Sequence, residues 1–221
     1  MSDDRQSSTA QWHERTVERS LRAARERAIS RGDRFIAAAT DLLRSTGKPD
    51  FTVQEVVDRS GMSLRSFYHH FATKDDLLLA LVEETVRRYV EDVRPRVQAE
   101  PDPAEKLRIF LRAIFGGPES DDPAARGMVL FHWQLADTRA ADFAATIAPQ
   151  SELITEIVEA GVADGTFRDD IPVPILTTLI TGTLLSVLDL RVLGVALTEK
   201  PVTADDVVGW VLSAIRTPGS A

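Results

Sequence analysis

The stretch "SGMSLRSFYHHFATK", Ser60 to Lys74, gathers residue types that could hold a metal, act as a nucleophile and base, or hold phosphates. The metal reading fails on spacing. His69 and His70 are adjacent, so on a helix they point about 100° apart and cannot grip one ion as an i, i+4 pair does. The other histidines are His13 and His132, the chain has no cysteine, and no HExxH motif occurs. No metal site is expected. Catalysis lacks its parts as well: there is no Gly-x-Ser-x-Gly elbow, no phosphate-binding glycine loop and no dinucleotide fingerprint. "GVADGTF" follows a helical pattern rather than a strand and reads as a helix end. No catalytic residue and no cofactor is assigned, and the chain is not expected to be an enzyme.

Nucleic-acid contact suits the same residues. A helix over Leu64 to His70 would present its first residues to base edges while flanking groups hold phosphates. Arg65 can pair bidentately with guanine in the major groove. Ser63 and Ser66 can donate to bases or phosphates, Tyr68, His69 and His70 suit phosphate oxygens, and Lys74 opens the next helix. Phe67 and Phe71, four apart, form the apolar face of that helix. Each polar residue taken singly reads equally well as a solvated surface position; the set does not.

The elements that would position them are legible from their caps. Ser30 with Asp33 resembles a capping box ahead of "RFIAAATDLLRSTG", which Gly47 and Pro49 end. Thr52 with Glu55 starts a second helix, with Phe51 placed to staple onto Val56, and Gly61 closes it in a left-handed conformation. Ser63 caps the third, with Met62 placed to staple onto Phe67. Thr73 with Asp76 opens a fourth, running to about Arg94 before Pro95. Two helices joined by Gly61-Met62-Ser63 match a helix-turn-helix, although a plain helical trio has the same spacing. Farther on, breaks at "EPDPAE", "GGPESDDPAAR" and "DGTFRDDIPVP" separate expected helices at about 103–115, 123–136, 138–163 (bent or divided by Pro149), 173–194 and 203–216. Apolar residues recur at three- and four-residue spacing with no strand-type alternation, so the expected fold is all-α.

Charge divides the chain in two. Residues 15–74 carry twelve Lys and Arg against seven Asp and Glu, whereas residues 75–221 carry thirteen against twenty-four. A basic front on an acidic body favours nucleic-acid contact by the front alone. The N-terminus lacks the apolar core of a secretory signal, so a cytoplasmic location is expected. Ile171 to Leu188 is uncharged over eighteen residues. Its two prolines and five Thr or Ser residues favour a buried helix over a membrane span.

"FTVQEVVDRSGMSLRSFYHHFATKDDLLLALVEE", with the helix before it, resembles the DNA-binding region of the tetracycline-repressor (TetR) family of bacterial transcriptional regulators. The most specific part is Phe67-Tyr68-x-His70-Phe71-x-x-Lys74-x-x-Leu77, with Gly61 at the turn and Thr52 opening the helix before it. The resemblance covers about Arg31 to Glu84. It implies phosphate contacts for Thr52, Tyr68, His70 and Lys74, and operator reading by Ser63, Leu64, Arg65, Ser66 and His69. It also implies three regions: an extension over 1–29, a helix-turn-helix domain over 30–80, and a helical effector-binding and dimerisation domain over 81–221. The implied function is a repressor bound to a (pseudo)palindromic double-stranded operator as a homodimer, released by a small, largely apolar effector. A helical ligand-binding or scaffold protein without DNA binding is the alternative.

About thirty residues precede the first helix, more than the family usually has. Within them "RTVERSLRAARERAISR" holds six arginines against two glutamates. It reads either as a basic arm reaching phosphates or a minor groove, or as a solvated helix or disordered tail. The small residues Thr178, Gly182 and Ser186 recur every four positions, and Val207, Val211 and Ile215 lie on the apolar face of the last helix. All six are candidates for a dimer interface, or for packing within one subunit. By the resemblance, Phe110, Ile114, Met128, Phe131, His132, Trp133 and Phe143 would surround the effector; core packing is the other reading of each.

Overall fold

The structure is a computed structural model that describes residues 31–116, 130, 131, 135, 138–195, 197, 199, 200 and 202–217. The expectations for 1–29, for Ser30, for most of a helix over 123–136, and for Met128, His132 and Trp133 lie outside the described residues. Helix α1 is described over 31–46. It is followed by α2 (Val53–Ser60), α3 (Leu64–His70), α4 (Lys74–Ala99), α5 (Pro103–Gly116), α6 (Ala140–Ala163), α7 (Val173–Val192) and α8 (Ala204–Ile215). Residues 130, 131, 135 and 138 are also helical. Among the described residues, β pairing is confined to one isolated bridge, Phe167 with Arg216.

Local chemistry fixes the ends of these helices. Capping boxes form at Thr52–Glu55, Thr73–Asp76 and Thr203–Asp206, each satisfying first-turn amides that have no partner within the helix. Gly61 sits at φ 64°, ψ 25°, and its N–H reaches Asp58 O and Val57 O. A side chain would strain this left-handed turn, which is why glycine stands between α2 and α3.

Pro95 departs from expectation by lying within α4, and Pro149 divides nothing off as a separate element: α6 is one helix around it. Proline's φ is helical, and its main local loss is the bond to the carbonyl four residues back. Those carbonyls belong to Glu91 and Ala145, both exposed residues, so water can take the place of the missing N–H.

The buried residues form two clusters. The first joins Phe35, Leu43, Phe51, Val56, Phe67, Phe71, Leu77 and Leu81 from α1–α4 with Phe131, Leu135 and Phe143 from the body. Rings of Phe35, Phe67 and Phe71 meet pairwise at 5.4–6.2 Å between centroids. The second cluster fills the body with α4, α5, α6, α7 and α8 side chains around Phe110, Leu111, Ile157 and Val211. The 26-residue α4, about 39 Å long at 1.5 Å per residue, contributes to both. It is tied to α5 by Tyr89 Oη donating to Phe110 O at 2.8 Å. Arg94, at 2.8 and 3.0 Å from the Glu156 carboxylate, links it to α6.

Helix α7 departs from its expected burial. It is long and apolar enough to cross a membrane by length and composition, but only a third of its most apolar window is buried. Ile175 and Leu179 stand 51% and 56% exposed, in line with exposed Thr178, Gly182 and Ser186.

Candidate nucleic-acid interface

Helix α3 is held by its apolar side and presents the other. Phe67 is fully buried, while Leu64, Arg65, Tyr68 and His69 are exposed. Two i, i+4 pairs, Leu64 with Tyr68 and Arg65 with His69, therefore make up the open face. Arg34 Nη2 donates to Ser60 O at 2.8 Å and fixes the end of α2 against α1. The turn before α3 is stiffened by Met62 N donating to Ser60 Oγ at 3.3 Å.

The structure sorts the sequence-derived residues more finely than the motif does. Ser63 Oγ accepts from Ser66 N at 3.1 Å, so its lone pair is engaged as the cap of α3. Thr52 Oγ1 donates to Glu55 Oε2 at 2.8 Å and accepts from Glu55 N, so its hydroxyl is already satisfied. That carboxylate is held below the usual range by the Thr52 backbone N–H and hydroxyl. A phosphate at Thr52 would therefore approach a fixed negative charge. His70 Nδ1 donates to Ser66 O at 2.8 Å, which places the hydrogen on Nδ1. The rings of His69 and His70 meet nearly edge to face, 79° apart.

Lys74 differs most from the implied picture. Its Nζ donates to Pro49 O at 2.9 Å and Phe51 O at 3.2 Å, and it lies 5.5 Å from the centre of the Phe51 ring. Two of the three ammonium protons thus bind the α1–α2 loop to the start of α4, leaving one for anything outside. The motif resembles a phosphate site because a lysine four-carbon stem can serve either end; spacing along the chain does not distinguish the two.

Elsewhere the candidate sites are rearranged. Phe110 is buried in the body cluster with Ile114 packed against it, whereas Phe131 and Phe143 belong to the head cluster. These four therefore divide between two apolar clusters. Val207, Val211 and Ile215 are at most 3% exposed and face the chain's own interior. That corrects their reading as an interface: an apolar helix face buries itself against the nearest apolar surface, here α5 and α7 of the same chain. The side of α8 left open carries Gly209, Trp210 and Ser213, with Trp210 57% exposed. Sequence periodicity marks the opposite face, whereas Trp210, outside the apolar stripe, is the signal in the sequence for the open one.

The sequence profile described as "Bacterial regulatory proteins, tetR family" matches residues 35–81, from the first helix to the start of α4. Over 166 residues the chain is 30% identical to the HTH-type transcriptional repressor KstR2 of Mycolicibacterium smegmatis, an alignment covering 70% of this chain and 76% of that protein. The chain belongs to the TetR family. As a TetR-family protein it is a DNA-binding transcriptional regulator rather than an enzyme. Solved structures share its fold. The fatty acid degradation regulator FadR of Bacillus halodurans superposes with a TM-score of 0.70 at 23% identity, covering 83% of this chain and 99% of that one. The transcriptional regulator FadR of Bacillus subtilis, solved in complex with stearoyl-CoA, has a TM-score of 0.69 at 17% identity, with 83% and 98% covered. The all-helical TetR-family architecture, a helix-turn-helix head on a helical body, accounts for why an acidic chain carries a basic front.

Proposed function

We propose that this TetR-family regulator is a repressor that binds a (pseudo)palindromic operator as a homodimer and is released by a small, largely apolar effector. The observation that carries the reading is the open face of α3, where Leu64, Arg65, Tyr68 and His69 stand exposed on a helix anchored by buried Phe67. In this reading Arg65, Leu64, Ser66 and His69 meet base edges, and Tyr68, with His70 and the remaining proton of Lys74, meets phosphates. Ser63 and Thr52 act first as helix caps and only secondarily at DNA. The head spans 30–80 and the effector-binding and dimerisation body 81–221, and the protein works in the cytoplasm, beside the chromosome.

Dimerisation is supported by the exposed, uncharged line of Ile175, Thr178, Leu179, Gly182 and Ser186 on α7, with Trp210 on α8. An apolar strip on a soluble helix is stabilised by covering it, and the small residues let a second helix approach closely. Two subunits would then set two α3 helices about one helical turn of DNA apart. The effector reading draws on the stearoyl-CoA complex of the B. subtilis neighbour and on the apolar body interior. Binding that favours a spread arrangement of the heads lowers operator affinity by its differential affinity for that state.

Selection of bound sequences from random DNA tests the reading. A symmetric consensus with half-sites about one helical turn apart supports it. Failure to enrich any sequence, with retention that is insensitive to salt, would leave the scaffold alternative standing.

A further inference from the structure

Away from the head, one open cavity of about 490 Å³ lies on the body, lined chiefly by Arg108 of α5, Arg168 beyond α6, and Gly209, Ser213, Arg216 and Thr217 at the end of α8. Its charge runs against its surroundings. Residues 75–221 carry thirteen basic against twenty-four acidic side chains, yet this lining has three guanidinium groups and no carboxylate.

The cavity is also built rather than incidental. Phe167 and Arg216 form the isolated bridge, with Arg168 N donating to Ile215 O at 2.8 Å and Thr217 N to Thr166 O at 3.2 Å. Arg168 and Arg216 therefore come from two paired extended segments. Arg168 is oriented by both oxygens of Asp170, each at 2.7 Å, and by Ala214 O at 3.2 Å. Arg108 is held along its helix by Glu105 at 2.9 Å, through Nε alone. Both carboxylates stand outside the lining and offset part of the charge while fixing the guanidinium planes. Arg216 is exposed, and among the described residues its guanidinium has no ion pair. A side chain at Gly209 would meet nothing within 4 Å, so the space beside this lining residue is open.

We infer that this cavity binds a phosphate group, free or carried by a small organic molecule. Guanidinium forks match phosphate oxygens, and each charge-assisted hydrogen bond is roughly twice as strong as a neutral one. Arg216 brings a guanidinium unpaired among the described residues, and Arg108 and Arg168, each already sharing a carboxylate, keep further Nη N–H groups, so donors from three segments suit the several oxygens of a phosphate ester. The volume falls within the roughly 300–1,000 Å³ of small-molecule sites, leaving room for an organic body beside the phosphate. The site is separate from the operator face, because its lining belongs to the body cluster through Leu212.

The test is isothermal titration of the full-length protein with inorganic phosphate and, separately, with ribose 5-phosphate, in chloride buffer at matched ionic strength. Saturable one-site binding is expected for at least one of them, weakened at least about tenfold in Arg216→Gln and in Ser213→Asp. Both positions are exposed, so circular dichroism should report an unchanged fold. Tighter binding of ribose 5-phosphate assigns the organic ester; equal affinity assigns free phosphate. Absence of saturable heat with either probe, or the same affinity in wild type and both variants, overturns the inference.

Discussion

Arg139 donates through Nη1 to Asp76 Oδ1 at 2.7 Å, joining the residue that precedes body helix α6 to the first turn of α4, just beyond the helix-turn-helix. The other Asp76 oxygen belongs to the Thr73 capping box, and Arg139 Nε also holds Asp142 at 2.7 Å. One carboxylate therefore caps the helix that follows α3 and ties it to the body. Phe143, one turn along α6, sits in the head's own apolar cluster, so the ionic and apolar contacts act at the same joint.

Arg139→Gln and Asp76→Asn should each loosen this joint, and the double variant should cost little more than Asp76→Asn alone. The Asp76 carboxyl is held below its ordinary range, chiefly by the Arg139 guanidinium. A depressed folded-state value gives stability that is present above the unfolded value, about 3.9, and lost as pH falls through the folded one. Thermal melts from pH 6 to pH 3 should therefore show a smaller acid-induced loss in Arg139→Gln than in wild type. An equal loss in both would mean the pair does not couple head to body.

Gly161→Ala should destabilise the body sharply. A Cβ at this position would lie 2.1 Å from Phe167 Cδ2, and Phe167 is itself buried beside the bridge to Arg216. Overpacking of this kind costs about 1–3 kcal/mol, and the ring cannot withdraw without disturbing the bridge. Urea unfolding measures it, and a midpoint equal to wild type would show that Phe167 has another rotamer available.

Leu64 is exposed and apolar on a face that otherwise carries Arg65, Tyr68 and His69. An aliphatic side chain there suits a thymine methyl, and Arg65 suits guanine O6 and N7. Replacing thymine by deoxyuridine at one half-site position should weaken wild-type binding several-fold and leave Leu64→Ala unaffected. Arg65→Ala should cost about 1–3 kcal/mol and relax preference at a guanine. If every thymine in the selected site tolerates deoxyuridine, Leu64 is not reading a methyl.

Asp189 is 6% exposed near the end of α7, and burial pushes its carboxyl up to about 6. A raised carboxyl favours folding most below its unfolded value, about 3.9, and that advantage is lost as pH rises through about 6. Asp189→Asn should consequently raise stability at pH 7–8 by about 1–3 kcal/mol and flatten the pH profile between about 4 and 6. Denaturant titrations across that range decide it; a destabilised variant at pH 8 would reveal a partner for the charged carboxylate.

Helix ends and turns were legible in the order of residues alone. Thr52–Glu55, Thr73–Asp76, Thr203–Asp206 and Gly61 act through neighbours within four residues, so their chemistry specifies helix ends whatever the rest of the chain does. The α2–α3 turn followed from these caps, and the family from Phe67-Tyr68-x-His70-Phe71-x-x-Lys74-x-x-Leu77 with Gly61 and Thr52. Where residues of like chemistry act depends on contacts between distant parts of the chain. Lys74 binds Pro49 and Phe51 carbonyls 25 and 23 residues away, respectively. Phe110 and Phe143 have the same side chain and enter different cores. Val207, Val211 and Ile215 turn inward, leaving Trp210 outside. Hydrophobic burial is non-directional, so an apolar stripe says that a helix will be covered and not by which surface. That choice depends on the contacts of the assembled fold.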